Sequence, residues 1–123
     1  MAKRKSIEER LRDYERQYRD LVATLAELGY IWNGSVVRQM LTCGKKTCAC
    51  HQDPRRRHGP YAYWSTKLKG RTVSRLLSPA EADLYEGWIR NRRALKETQR
   101  RMLALSKKVA PLMLRKAKSD KQT

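Results

Sequence analysis

Two runs of residues spaced alternately by four and three commit both flanks of this chain to helices. The first is Ile7, Leu11, Tyr14, Tyr18, Leu21, Leu25 and Leu28; the second is Leu84, Trp88, Asn91, Leu95, Thr98, Met102, Leu105, Val109 and Leu112. A mean period of 3.5 is a heptad seam, the pattern of a helix that must bury one narrow stripe against another helix. Ser6, followed by Glu8 and Glu9, supplies a cap and a first-turn charge, and Gly29 is placed to stop the first helix. Ser78-Pro79-Ala80-Glu81 supplies a cap, a first-turn proline and a capping-box glutamate for the second. Pro111 predicts an end or kink near residue 110, because proline removes a helical hydrogen bond.

Two seams in one chain can satisfy each other, so an antiparallel, coiled-coil-like hairpin is expected, with pairing to a second copy as the alternative. Asn91, polar within its seam, is the kind of residue that sets register or partner number. No apolar run is long enough to span a bilayer, and the start of the chain is charged, so no membrane partner and a cytoplasmic location are expected.

Charge separates the flanks from the centre. The chain of 123 residues carries a formal +17, but residues 1–30 hold seven basic and six acidic groups. Residues 31–78 hold ten basic groups against Asp53 alone, and residues 79–123 hold twelve against five. A segment at +9 repels itself unless an anion neutralises it, and nucleic acid is the commonest such anion. With 40% apolar residues and no phenylalanine, the core is modest and gains from a metal or a partner.

The centre reads as strands. Residues 34–42 are rich in β-branched and apolar types and lead into Cys43. Residues 61–68 and 71–77 flank Lys69-Gly70, a connection of hairpin length, which sets Leu68 opposite Arg71, Thr66 opposite Val73, Trp64 opposite Arg75 and Tyr63 opposite Leu76. Alternation does not say which face of that ribbon is buried. The predicted fold class is therefore α+β: two long helices flanking a small, zinc-stabilised antiparallel sheet of about three strands.

All three cysteines and both histidines fall in one window: Cys43, Cys48, Cys50, His51 and His58. Thiolates and a neutral imidazole suit a tetrahedral Zn²⁺ ion, so Cys43, Cys48, Cys50 and His58 are the predicted ligands. His51 is the alternative fourth ligand; it follows Cys50 directly, and in an extended backbone its side chain points away from that cysteine. Such a closed four-ligand site is structural, since it leaves no position for a reacting water.

Around the window lie Lys45, Lys46, Arg55, Arg56, Arg57, Lys67, Lys69, Arg71 and Arg75, interleaved with Tyr61, Tyr63 and Trp64. Cations of this kind contact phosphates, and aromatic rings stack on unpaired bases. A two-stranded ribbon also fits a DNA major groove.

The elements Gly34-Ser35, Cys43-Gly44-Lys45, Cys48-Ala49-Cys50, His58-Gly59-Pro60-Tyr61 and Gly70-Arg71-Thr72-Val73 resemble a family of small bacterial and archaeal proteins grouped as a domain of unknown function. The resemblance covers about residues 34–100. It implies that Cys43, Cys48, Cys50 and His58 belong together, and family members near mobile elements imply a nucleic-acid context.

An enzyme reading finds little material. Two-metal hydrolysis needs several carboxylates around one point, and the centre has only Asp53. A zinc deaminase needs a glutamate beside its histidine, which neither His51 nor His58 has. A nucleophile assembled from Tyr61 or Tyr63 with His58 and Arg75 would occur in any basic hairpin beside a zinc site.

The expected organisation is an N-terminal helix (1–30), a zinc-loop and hairpin module (31–78), a long helix (79–116) and a disordered basic tail (117–123). The expected function is a non-catalytic, zinc-stabilised nucleic-acid-binding accessory protein, cytoplasmic or nucleoid-associated. The alternative is a coiled-coil adaptor that binds a protein or ribonucleoprotein partner, or a second copy, through its helical seams.

Overall fold

The computed structural model describes residues 4–121. Helix α1 spans Ile7–Ala26, strand β1 Ser35–Leu41, β2 His58–Leu68, β3 Arg71–Leu77, and helix α2 Pro79–Lys121. Short 3-10 turns at Ala49–His51 and Pro54–Arg56 occupy the connection from β1 to β2. The chain divides into two compact units: Tyr30–Arg92, and the residues up to Gly29 together with those from Arg93 onward. The unit that contains the sheet thus extends past residue 78 to include the first turns of α2.

The sheet is antiparallel in the order β1-β2-β3. Its hairpin has the expected register, with Leu68 opposite Arg71, Thr66 opposite Val73, Trp64 opposite Arg75 and Tyr63 opposite Leu76. Lys69 at φ 50° and Gly70 at φ 79° are both left-handed. That pair of angles matches the twist of the flanking strands and closes the two-residue turn without splaying them. β2 begins at His58, three residues before the sequence pattern suggests, and pairs there with Leu41 beyond a register irregularity between Gln39 and Leu41.

Because alternate residues of a strand face opposite ways, this register sorts the sheet into two faces. One carries Val36, Ala62, Trp64 and Leu77 and is covered by the start of α2, where Ala82 is fully buried and Tyr85 packs alongside. Alanine at this contact lets the helix axis come close to the sheet. Trp32, Trp64, Tyr85 and Trp88 form a continuous aromatic cluster, with Trp64 and Tyr85 stacked at 5.6 Å. Each such pair contributes about 0.5–1.5 kcal/mol beyond its area. The Trp64 indole N–H donates to the Asn33 carbonyl at 2.9 Å, so its polar atom is satisfied. The other face carries Val37, Tyr61, Tyr63 and Leu76 and stays open.

Both helix starts follow the sequence. Ser6 Oγ accepts from the Glu9 N–H, and Ser78 and Glu81 cap each other reciprocally at 3.2 and 3.0 Å. The seam positions of α1 are all half-buried or buried, Leu21 most deeply.

Four details differ from expectation. α1 stops at Ala26 with Glu27 as its cap, ahead of Gly29. Leu84 is 54% exposed, because the first turns of α2 face the sheet and turn Ala82, Tyr85 and Ile89 inward in its place. Asn91 donates to the Tyr30 carbonyl at 2.7 Å and so pins the segment before β1 to α2. Finally, α2 runs through Pro111 to Lys121, which replaces the expected end near residue 110 and most of the expected tail. A proline inside a helix costs about 3 kcal/mol through its missing N–H and its ring clash, and here it sits among good helix formers and beside buried Leu112. Residues 122–123 of the expected tail, and Met1, Ala2 and Lys3, lie outside the described residues.

In the helical unit, Leu11, Tyr14 and Tyr18 of α1 line an open groove of about 620 Å³ together with Val109, Ala110 and Met113 of α2. A second groove is lined by Leu21 of α1 and by Ala104 and Leu105 of α2.

Gly34 sits at φ +91°, where an added Cβ would lie 2.5 Å from both the Ser65 carbonyl oxygen and the Trp64 Nε1. Gly34→Ala is therefore expected to lower unfolding free energy by about 1–3 kcal/mol, measured by denaturant titration.

Candidate metal centre and its basic surround

The connection from β1 to β2 is short on apolar residues, and what gathers it is sulfur and imidazole. Cys43 leaves β1, Cys48 caps the first 3-10 turn, Cys50 lies within that turn, and His58 opens β2. Their ligand atoms all lie within 4.8 Å of one another. Cys43 Sγ and Cys50 Sγ are 3.6 Å apart, and Cys48 Sγ is 3.4 Å from His58 Nε2. In a tetrahedron with Zn–S near 2.3 Å and Zn–N near 2.05 Å, the edges are about 3.8 Å for S···S and about 3.6 Å for S···N. The four donors therefore have the separation and the chemistry of a four-coordinate site for a soft or borderline metal ion.

Local turns hold the cluster. The Cys48 N–H donates to the Lys45 carbonyl at 3.1 Å, and the His51 N–H to the Cys48 carbonyl at 3.2 Å. The Cys43 N–H points at Cys50 Sγ, 3.3 Å away, a dipole that favours thiolate at the deepest position. Cys50 is only 2% exposed. His51 lies outside the cluster. The reason is not an extended backbone: in a 3-10 turn adjacent residues diverge by about 120°, so Cys50 and His51 cannot face the same point.

The three thiols are electrostatically unequal. The backbone N–H of Cys50, then the His58 ring and the other two thiols, bring Cys48 down to about 6. At Cys50 the Cys43 N–H pulls downward, but burial and the neighbouring thiols Cys48 and Cys43 outweigh it and the net shift is upward.

The structure divides the basic and aromatic residues singled out by sequence. Asp53 caps the second 3-10 turn by accepting from the Arg55 N–H at 3.0 Å, and its carboxylate also meets the Arg55 guanidinium at 3.4 Å. Arg75 reaches Glu81 on α2 at 3.4 Å. Arg38, which sequence reasoning left out of the site, reaches Glu86 at 3.1 Å and Asp83 at 3.4 Å. Lys45, Lys46, Arg56, Arg57, Lys67, Lys69 and Arg71 are exposed, and no ion pair holds them among the described residues. Tyr61 and Tyr63 stand on the open face, whereas Trp64 belongs to the aromatic cluster under α2. No helix among the described residues is long and apolar enough to cross a membrane.

These features define a small α+β protein whose sheet is entered through a Cys₃His cluster able to hold a metal ion. The chain belongs to the family described as a domain of unknown function, DUF6788, which matches residues 5–86. The match takes in α1, the whole sheet, the cluster and the first turns of α2. Neither a curated protein nor a solved structure matches the chain.

In the metal-free protein, iodoacetamide at pH 7.5 is expected to alkylate Cys48 faster than Cys50 by roughly tenfold or more, read by peptide mass spectrometry. The Cys48 rate should fall as pH drops through about 6, because protonation removes the nucleophilic thiolate. Added Zn²⁺ should protect all three thiols.

Proposed function

We propose that this chain is a zinc-stabilised, nucleic-acid-binding accessory protein without catalytic activity of its own. The observation that carries the reading is how charge is sorted within Tyr30–Arg92. The carboxylates Glu81, Asp83 and Glu86 lie on α2 and engage Arg38 and Arg75, while Asp53 engages Arg55. Seven further cations, Lys45, Lys46, Arg56, Arg57, Lys67, Lys69 and Arg71, remain for an external anion around the metal loop and the hairpin tip. A polyanion with regularly spaced phosphates neutralises such a set by counterion release.

Zinc is the ion proposed for Cys43, Cys48, Cys50 and His58, since three thiolates and an imidazole favour a d¹⁰ ion and select against hard cations. Its role is to tie the start of β2 to the end of β1, and its four positions are all taken by protein. Purified protein is expected to contain one equivalent of zinc by inductively coupled plasma analysis, falling several-fold in Cys48→Ser. A metal-free parent protein with unchanged melting would remove the ion from this account.

For binding, anisotropy titrations at several salt concentrations should give micromolar or tighter affinity at low salt with a steep slope. Arg56→Gln with Arg57→Gln should lower the affinity for every sequence about equally and flatten the slope by roughly two. Absence of binding to both DNA and RNA at low salt would end the reading.

A second reading, an adaptor that docks on a protein partner, draws on the helical unit. The grooves pair early residues of α1 with late residues of α2 and later ones with earlier, which supports an antiparallel hairpin whose apolar seam is open along one side. In that case charge reversal at Arg92, Arg93, Arg100 and Arg101 abolishes assembly, while the Arg56/Arg57 variant leaves it intact.

A further inference from the structure

The open face of the sheet is organised in rows. Across the three strands, Val37 pairs with Tyr63 and Tyr63 with Leu76; on one side of that row Gln39 pairs with Tyr61, and on the other Ser35 pairs with Ser65 and Ser65 with Ser74. Lys67 and Thr72 follow toward the hairpin tip. Of the apolar and aromatic members, Val37 (42%), Tyr61 (40%) and Leu76 (57%) are exposed and Tyr63 between them is half-buried. Among the described residues no carboxylate stands on this face, and the acids of α2 meet Arg38 and Arg75 on the covered one. Cations bound it at both ends, with Lys45, Lys46, Arg56 and Arg57 around the metal loop, Lys67 on the face itself and Lys69 at the hairpin turn.

Building on the nucleic-acid reading above, we infer that this face is a platform for single-stranded RNA, with Tyr61 and Tyr63 each stacking one unpaired base. Charge complementarity selects the polyanion. The spacing of the rings selects an unpaired strand. Tyr61 and Tyr63 are two residues apart on β2, so their rings rise from points about 6.7 Å apart. Bases stacked in a duplex are spaced about 3.4 Å apart and turn only their edges outward, so neither the interval nor the ring faces are available to them. A splayed single strand presents its base faces at the larger interval, and stacking contributes about 1–3 kcal/mol per base. The row of Ser35, Ser65 and Ser74 favours ribose over deoxyribose. Three hydroxyls beside the stacking row can donate to and accept from a 2′-OH, which DNA lacks.

The test uses the full-length protein and fluorescein-labelled 12-nucleotide oligouridine, the matching deoxyuridine strand, and a 12-base-pair RNA duplex, all in anisotropy titrations at one ionic strength. The single-stranded RNA is expected to bind at least tenfold more tightly than the duplex and more tightly than the deoxy strand. Tyr63→Leu, which keeps an apolar residue in the strand, should weaken single-strand binding about 5- to 100-fold while leaving the salt slope unchanged. Circular dichroism melting checks that the variant folds. If Tyr63→Leu does not fold, Tyr61→Leu, at the more exposed ring, carries the same expectation. Equal affinity for duplex and single strand, or a folded Tyr variant that binds like the parent, overturns the platform while leaving salt-dependent nucleic-acid binding standing. Equal affinity for the ribo and deoxy strands overturns the assignment to RNA. Failure to bind any of the three polymers at low salt instead removes the nucleic-acid reading on which the platform rests.

Discussion

The two-residue alternation of β2, held in register by the Lys69-Gly70 turn, is the constraint from which the rest of the sheet unit follows. On one side of the strand, Ala62 and Trp64 meet Val36, Leu77 and the start of α2. On the other, Tyr61 is exposed and Tyr63 half-buried beside the exposed Val37 and Leu76. A slip of one residue would exchange these sets, stranding Trp64 in solvent and pressing two tyrosines against Ala82. The turn and the aromatic cluster therefore specify the same register from opposite ends of the hairpin.

The metal cluster closes the other end of that strand. His58 opens β2 and Cys43 follows β1, so a bound ion would tie two neighbouring strands where their register is irregular. Turn hydrogen bonds bring the loop close to its ligand geometry, but few apolar contacts hold it. A metal bound there would supply what a small core does not, since binding free energy at a structural site is folding free energy. The same loop displays Lys45, Lys46, Arg56 and Arg57, and a bound ion would keep those charges in one arrangement.

Charge in this chain is informative through its partners more than through its sum. Sequence counting sees ten cations and one acid in residues 31–78. Folding brings in three acids from α2 and assigns them to Arg38 and Arg75 on the covered face. What remains is smaller than the sequence total and spatially organised, because the acids of α2 neutralise the cations nearest the helix, which stay exposed.

Read without a structure, the sequence settled whatever depends on neighbours a few residues apart. The seams apart from Leu84, the helix N-caps, the hairpin register and the gathering of Cys43, Cys48 and Cys50 with a histidine are all of this kind, because helical period, turn chemistry and ligand preference act over short spans. Tertiary contact decided what required distant residues to meet. It turned Ala82 and Tyr85 inward in place of Leu84, gave Asn91 a backbone partner at Tyr30, carried α2 past Pro111, and separated Trp64 from Tyr61 and Tyr63. Alternation distinguishes the two faces of a strand, but only a packed helix determines which of them is buried.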